Sequence, residues 1–176
     1  RQSVLAAVHS EDSELLAPEA FLQEILDVFA EAGVIEDFQL SYHRGRGMEV
    51  SGYAVDDDLG TLDIFHVIWN DSDQVERLSR DQTNAALRRM RAFTERAMGG
   101  LHNELEESSS AYEMAAHIHE IGSRITRLRF YLITNYELRS HDFVVDPIKD
   151  NENNQKQIMV EIWDIVRLQR FESDGI

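Results

Sequence analysis

The chain has 176 residues, of which 43% are hydrophobic and 28% charged, enough to bury a core and balanced like a soluble globular domain. Acids outnumber Lys and Arg 33 to 17, and the net charge of −16 repels phosphates, arguing against nucleic-acid binding over the whole surface. The lack of cysteine excludes disulfides, thiolate zinc sites and cysteine nucleophiles.

Residues 11–33 are expected to form the first helix, with Leu15, Phe21, Leu22, Ile25, Leu26, Val28 and Phe29 at helical spacing and Gly33 as its stop. Residues 38–69 read as a three-strand meander. Phe38–His43 leads into the turn Arg44-Gly45-Arg46-Gly47, Met48–Val55 alternates as a strand should, and Asp56-Asp57-Asp58-Leu59-Gly60 is a turn cluster. Leu62–Trp69 is apolar at almost every position, which predicts a central strand covered on both faces.

Residues 79–121 hold two helices. Ser79 with Gln82 opens the first as a capping box, and Ala86, Leu87, Met90, Phe93 and Ala97 mark its buried side. Gly99-Gly100 breaks it, Ser110 with Glu113 predicts a second box, and Gly122 ends the second helix. Within 127–171, Arg127–Thr134 reads as a strand, and Phe143–Val145 and Ile158–Trp163 as strands flanking the polar loop 150–155. Asp164 is expected to cap a final helix carrying Ile165, Val166, Leu168 and Phe171. The order α-β-β-β-α-α-β-β-β-α implies an α/β (α+β) fold, a mixed sheet flanked by helices.

Helix, three strands, helix, strand is also the order of the restriction-endonuclease-like core. There, an acid on the first helix, an Asp on the second strand and an acid-x-Lys on the third meet at one metal. Carboxylates hold Mg²⁺ through oxygen, and metal and Lys activate water and neutralise phosphate charge. Here Glu24 is the candidate helix acid, Ser51 stands where the strand Asp is expected with Glu49 two residues before it, and the third strand reads Asp63-Ile64-Phe65. Phenylalanine thus replaces lysine. The two lysines, Lys149 and Lys156, lie far downstream, and no Arg occurs between Arg46 and Arg77. An acid such as Asp63 in a doubly covered strand still needs a partner, and a neighbouring Arg or backbone amide would serve.

The run GVIEDFQLSYHRGRGMEVSGYAVDDDLGTLDIF, followed by EESSSAYEMAAHIHE and VEIWDIVRLQRF, resembles the N-terminal segment of the abortive-infection phage-resistance family. The resemblance extends from about Phe21 to Phe171 and departs at Ser51, where the family tends to show Asp before Gly-Tyr. It implies a bacterial phage-defence protein, with a larger effector portion beyond Ile176. The chain begins at Arg1 and stops just after an apparent helix, so residues 1–176 are expected to be a single domain cut from the N-terminal part of a longer protein.

Four arginines are candidates for phosphate or partner contact. Arg44 and Arg46 sit in a turn that could bind phosphate through its amides and guanidinium groups, or could be a hairpin turn alone. Arg88 and Arg89 belong to an arginine-rich helix that either faces nucleic acid or balances acids elsewhere. His117 and His119 are two apart on a helix and diverge, and Asp56–Asp58 lacks the offsets of a Ca²⁺ loop.

Three readings follow. In the first, the domain is a degenerate, non-catalytic nuclease-like module serving assembly or recognition, with no cofactor. In the second it is a nuclease with a migrated catalytic site of Glu24, Glu49 and Asp63, taking Mg²⁺ or Mn²⁺ on Asp63 and Glu49. In the third it is an unrelated protein-interaction domain. Expected partners are the C-terminal region of the same protein, other phage-defence proteins and a second copy, with nucleic acid disfavoured by charge. No apolar run nears membrane-spanning length and no signal peptide is evident, so the expectation is a cytoplasmic protein without membrane contact.

Overall fold

The computed structural model describes residues 17–150 and 152–174. Leu15 and the rest of 11–16, expected in the first helix, lie outside the described residues, as does Asn151 of the polar loop. Helix α1 (Ala17–Glu31) ends as Gly33 predicts. Gly33 takes a φ of +74°, its N–H bonds to Ala30 O, and Val34 N–H reaches back to Phe29 O at 2.8 Å, a Schellman closure.

Strands β1 (Phe38–Gly45), β2 (Met48–Asp56) and β3 (Thr61–Ile68) form an antiparallel meander. The tip of the β1–β2 hairpin is Arg46-Gly47 with φ of +51° and +77°, the double positive φ of a type I′ turn. Arg46, and not glycine alone, therefore carries a left-handed backbone. The register of β1 slips between Leu40 and His43, which is a β-bulge. The acidic turn after β2 closes when Asp56 Oδ1 accepts the Leu59 N–H at 3.1 Å.

Helix α2 (Arg80–Met98) opens with the expected box, Ser79 Oγ accepting from Gln82 N–H while Gln82 accepts from Ser79 N–H. Helix α3 (Ser110–Ile121) does not. Its N-cap is Ser109, without a side-chain cap bond, and Ser110 is turned instead to β1, where its carbonyl accepts from Ser41 Oγ at 2.7 Å. Strand β4 (Arg127–Thr134) then pairs parallel to β3.

The segment after β4 differs from expectation. Phe143–Val145 is unpaired coil, and the polar loop is flanked instead by a minimal hairpin, β5 (Ile148–Lys149) with β6 (Gln155–Lys156). Phe143–Val145 has strand-forming residues, but the chain here is anchored by side chains. Arg91 donates to Asp146 O and Pro147 O, and Arg80 to Asp142 O. Strand β7 (Ile158–Trp163) pairs parallel to β4. Asp164 then caps α4 (Ile165–Asp174) by accepting Arg167 N–H on Oδ1, and its Oδ2 accepts Leu138 N–H and lies 3.1 Å from His141 Nε2.

The fold is α+β, and its sheet runs β1-β2-β3-β4-β7. One face packs α2 and α3 onto Leu62, Ile64, Leu128, Phe130 and Leu132. The other packs α1 and α4 onto Ala54, Phe65, Tyr131, Ile133 and Trp163. Central β3 is thus covered on both sides, as its apolar run predicts.

Candidate functional site: the crevice where β2 and β3 part

The β2–β3 ladder runs from Asp56↔Thr61 to Gly52↔Phe65. Beyond it the strands are joined through side chains. Ser51 Oγ accepts the Val67 N–H at 3.2 Å and lies 3.1 Å from His66 Nδ1. Ser51 is 2% exposed and His66 6%, so both groups need these bonds. Where the strands separate, two hollows open, of about 400 and about 430 Å³. His66 and Glu49 line both. Arg89 and Gln82 of α2 complete one, and Pro18 and Glu19 of α1, with Arg44 of β1, complete the other.

Burial pushes the His66 imidazole down from 6.5 to about 4, against the upward pull of Glu49 and with a further downward push from Arg89. The ring is therefore neutral at ordinary pH. With Ser51 Oγ already accepting from Val67, its own proton is available for Nδ1, leaving the ring proton on Nε2. A hydroxyl beside a neutral imidazole has the form of a nucleophile and its base. The buried Ser51 oxygen is, however, occupied by a backbone N–H, so the pair serves to join two strands. Nearby, burial together with Glu19 raises the Tyr42 phenol to about 12, and burial followed by Arg96 lowers His43.

Glu24, Glu49 and Asp63, which the nuclease reading requires to meet, do not converge. Glu24 is exposed on α1, on the side away from buried Phe21, Leu22, Ile25 and Leu26. Asp63 faces Ala54 in the β2–β3 register, and Glu49 lies on the order of 15 Å further along β2 at about 3.3 Å per residue. Among the described residues, no group of three His, Asp or Glu side chains is placed to hold a metal ion, so Asp63 and Glu49 share no metal position. Lys156 is spent on other partners, buried and donating to Ile125 O at 2.7 Å while paired with Asp150 at 3.3 Å.

Asp63 is committed elsewhere. It is 3% exposed, and Arg129, its register partner on β4, grips both carboxylate oxygens at 2.6 and 2.8 Å. Burial pushes the carboxyl up while the guanidinium pulls it back, and the net direction is upward. The same pair raises Arg129, whose charge is not in question at any pH proteins meet. Phe65, in the lysine position, is fully buried with its ring centroid 5.4 Å from that of Tyr131.

The four candidate arginines separate into two kinds. Arg44 faces Glu49 across the β1–β2 pair, and Arg89 lines the hollow on Glu49's other side. Arg46 is at the hairpin tip and Arg88 on the outer side of α2, and neither lines these hollows. All four are exposed, and none has an ion pair among the described residues. Two other arginines of α2 hold structure: Arg91 pairs with Glu95 at 3.2 Å and Arg96 with Glu104. The two histidines of α3 diverge as expected, His117 towards Tyr53 and His119 towards Met98 O.

His66 is the residue that motif reasoning passes over. Its sequence signal is slight, one of two polar residues inside LDIFHVIW beside Asp63, and its role appears only when Ser51 stands across from it.

No helix among the described residues is long and apolar enough to cross a membrane. No curated protein and no solved structure gives a significant match to the chain. The model of the abortive infection phage resistance protein N-terminal domain matches residues 21–170, a span that takes in most of α1, the whole sheet and Ser51 and His66 of the crevice. The chain belongs to that phage-defence family, as its N-terminal domain.

Proposed function

We propose that this domain is a non-catalytic module of an anti-phage abortive-infection protein, acting in assembly or recognition from a scaffold of nuclease type. The reading rests on one observation, the state of β3. The acid at the position of a metal ligand is locked in a two-point ion pair with Arg129, and the position of the catalytic lysine is core phenylalanine. The retained element order α-β-β-β-α-α-β supports the ancestry. The Ser51–His66 link, in place of an acid, supports the loss of chemistry. Exposed arginines at the β1–β2 tip and on α2, without ion pairs among the described residues, are suited to an acidic partner surface, and the proposed partners are the C-terminal region of the same protein, other defence proteins or a second copy.

The test is cleavage of single- and double-stranded DNA by the purified chain in Mg²⁺ or Mn²⁺. No metal-dependent product is expected. Robust cleavage that disappears in Glu49→Gln, with thermal stability unchanged, overturns the proposal. Glu49 is preferred to Asp63 for this purpose because it is half-exposed and its loss leaves no buried charge.

A further inference from the structure

A further cavity lies on the α2–α3 side of the sheet, beyond the end of β4, between the start of α2 and the segment 138–143. Its volume is about 450 Å³, and it is lined by Arg77, Leu78, Arg80, Leu138, Arg139 and Phe143 together with Ser79 and Ser140. Three arginines and no acid line it, in a chain where acids outnumber basic residues 33 to 17. Arg77 and Arg139 are exposed and make no ion pair among the described residues. Three guanidinium groups around one hollow repel one another unless an anion joins them.

The walls are fixed before any ligand arrives. Leu78 N–H bonds to Glu137 O at 3.0 Å and Glu137 N–H to Glu76 O at 2.9 Å, stitching the two segments together. Arg80 lies over the Phe143 ring, 4.6 Å from its centroid, and donates to Asp142 O at 3.2 Å. Leu78 and Leu138 are buried and give the hollow an apolar floor. A cavity of this size with an apolar floor and a few convergent polar groups has the make-up of a small-ligand site.

We infer that this hollow binds a small phosphorylated ligand of nucleotide size. Arg77, Arg80 and Arg139 take its phosphates, and Leu78, Leu138 and Phe143 take its less polar part. Planar guanidinium forks match phosphate oxygens in pairs. The hollow adjoins one hollow of the β2–β3 crevice through Leu78 but shares none of its polar residues, and the inference holds whether or not the domain cuts DNA.

Calorimetric titration of the whole chain with ADP, inorganic pyrophosphate and a 5′-phosphorylated oligonucleotide tests it. ADP is expected to bind and to raise the melting temperature, pyrophosphate to bind more weakly, and Arg77→Gln/Arg139→Gln to lose about tenfold or more in affinity. Arg44→Gln/Arg46→Gln removes equal charge at the hairpin tip, outside the lining of this hollow, and should bind ADP as the parent does. The inference is overturned if neither ADP nor pyrophosphate binds, or if the Arg77/Arg139 variant binds ADP undiminished. Equal loss in both double variants overturns it too, because binding would then follow net charge. An oligonucleotide that binds more tightly than ADP overturns the small-ligand assignment. If the Arg77/Arg139 double variant fails to fold, Arg139→Gln alone, at an exposed position, must still weaken ADP binding.

Discussion

Strand β3 is joined to its two neighbours by two buried polar pairs of opposite character. On the β4 side, Asp63 and Arg129 form a charged, two-point contact. On the β2 side, Ser51 and His66 form a neutral one, with the imidazole held far below its ordinary range. The first pair lies within a continuous ladder and holds its charge by mutual neutralisation. The second lies where the ladder has ended, at the mouth of two hollows, and its burial favours the uncharged ring. A buried charge is tolerated when its partner is fixed opposite, and a buried titratable group without such a partner becomes sensitive to pH.

The largest expected effect comes from breaking the charged pair on one side. Arg129→Met leaves Asp63 buried and unpaired and should cost about 3–5 kcal/mol in chemical denaturation. Asp63→Leu/Arg129→Met removes both charges and should recover most of that loss. A single-variant cost below about 1 kcal/mol would mean that Asp63 finds water or another partner.

The neutral pair should show itself in the pH dependence of stability. Because the native His66 resists protonation down to about 4 against an ordinary 6.5, the unfolded chain takes up the proton first. Stability is therefore complete above about pH 6.5 and falls as pH drops towards 4, by up to about 3 kcal/mol. Comparing His66→Gln with the parent across this window isolates the term from the carboxylates. Equal slopes would remove His66 from the account.

A smaller cost is expected from Ser51→Ala, which strips the Val67 N–H and His66 Nδ1 of their shared partner, about 1–3 kcal/mol. Ser51→Asp sharpens the contrast further. It sets a carboxylate beside the ring and should pull the His66 pKa upward, read by NMR titration of the ring. An unmoved His66 would place the new carboxylate outside the crevice.

Much of this was legible in the sequence, and the reasons differ by element. The meander, the apolar β3 and the Ser79 box are local patterns, and each forms where its residues place it. The Asp63–Arg129 pair is not local. The two residues are 66 apart and meet only through the parallel β3–β4 register, which no spacing along the chain reveals. Ser109 and Ser110 are both competent caps, and the choice between them falls to β1, which takes the Ser110 carbonyl. Phe143–Val145 has strand composition but no ladder to join, since Arg80 and Arg91 hold the neighbouring backbone from α2. Glu24, Glu49 and Asp63 look convergent in a linear motif because the motif carries no distance along the strands.

The two outermost strands carry a further consequence. At β1 the bulge between Leu40 and His43 interrupts the regular row of edge groups. At β7, Arg167 donates to Ile162 O at 2.8 Å while lying 3.7 Å from the centroid of the Trp163 ring, so one carbonyl near the strand's end is already taken. Flat, unoccupied edges recruit strands from other molecules and seed aggregates. Here both margins of the sheet are blunted, one by a kink and one by a guanidinium, which disfavours templated growth from either side.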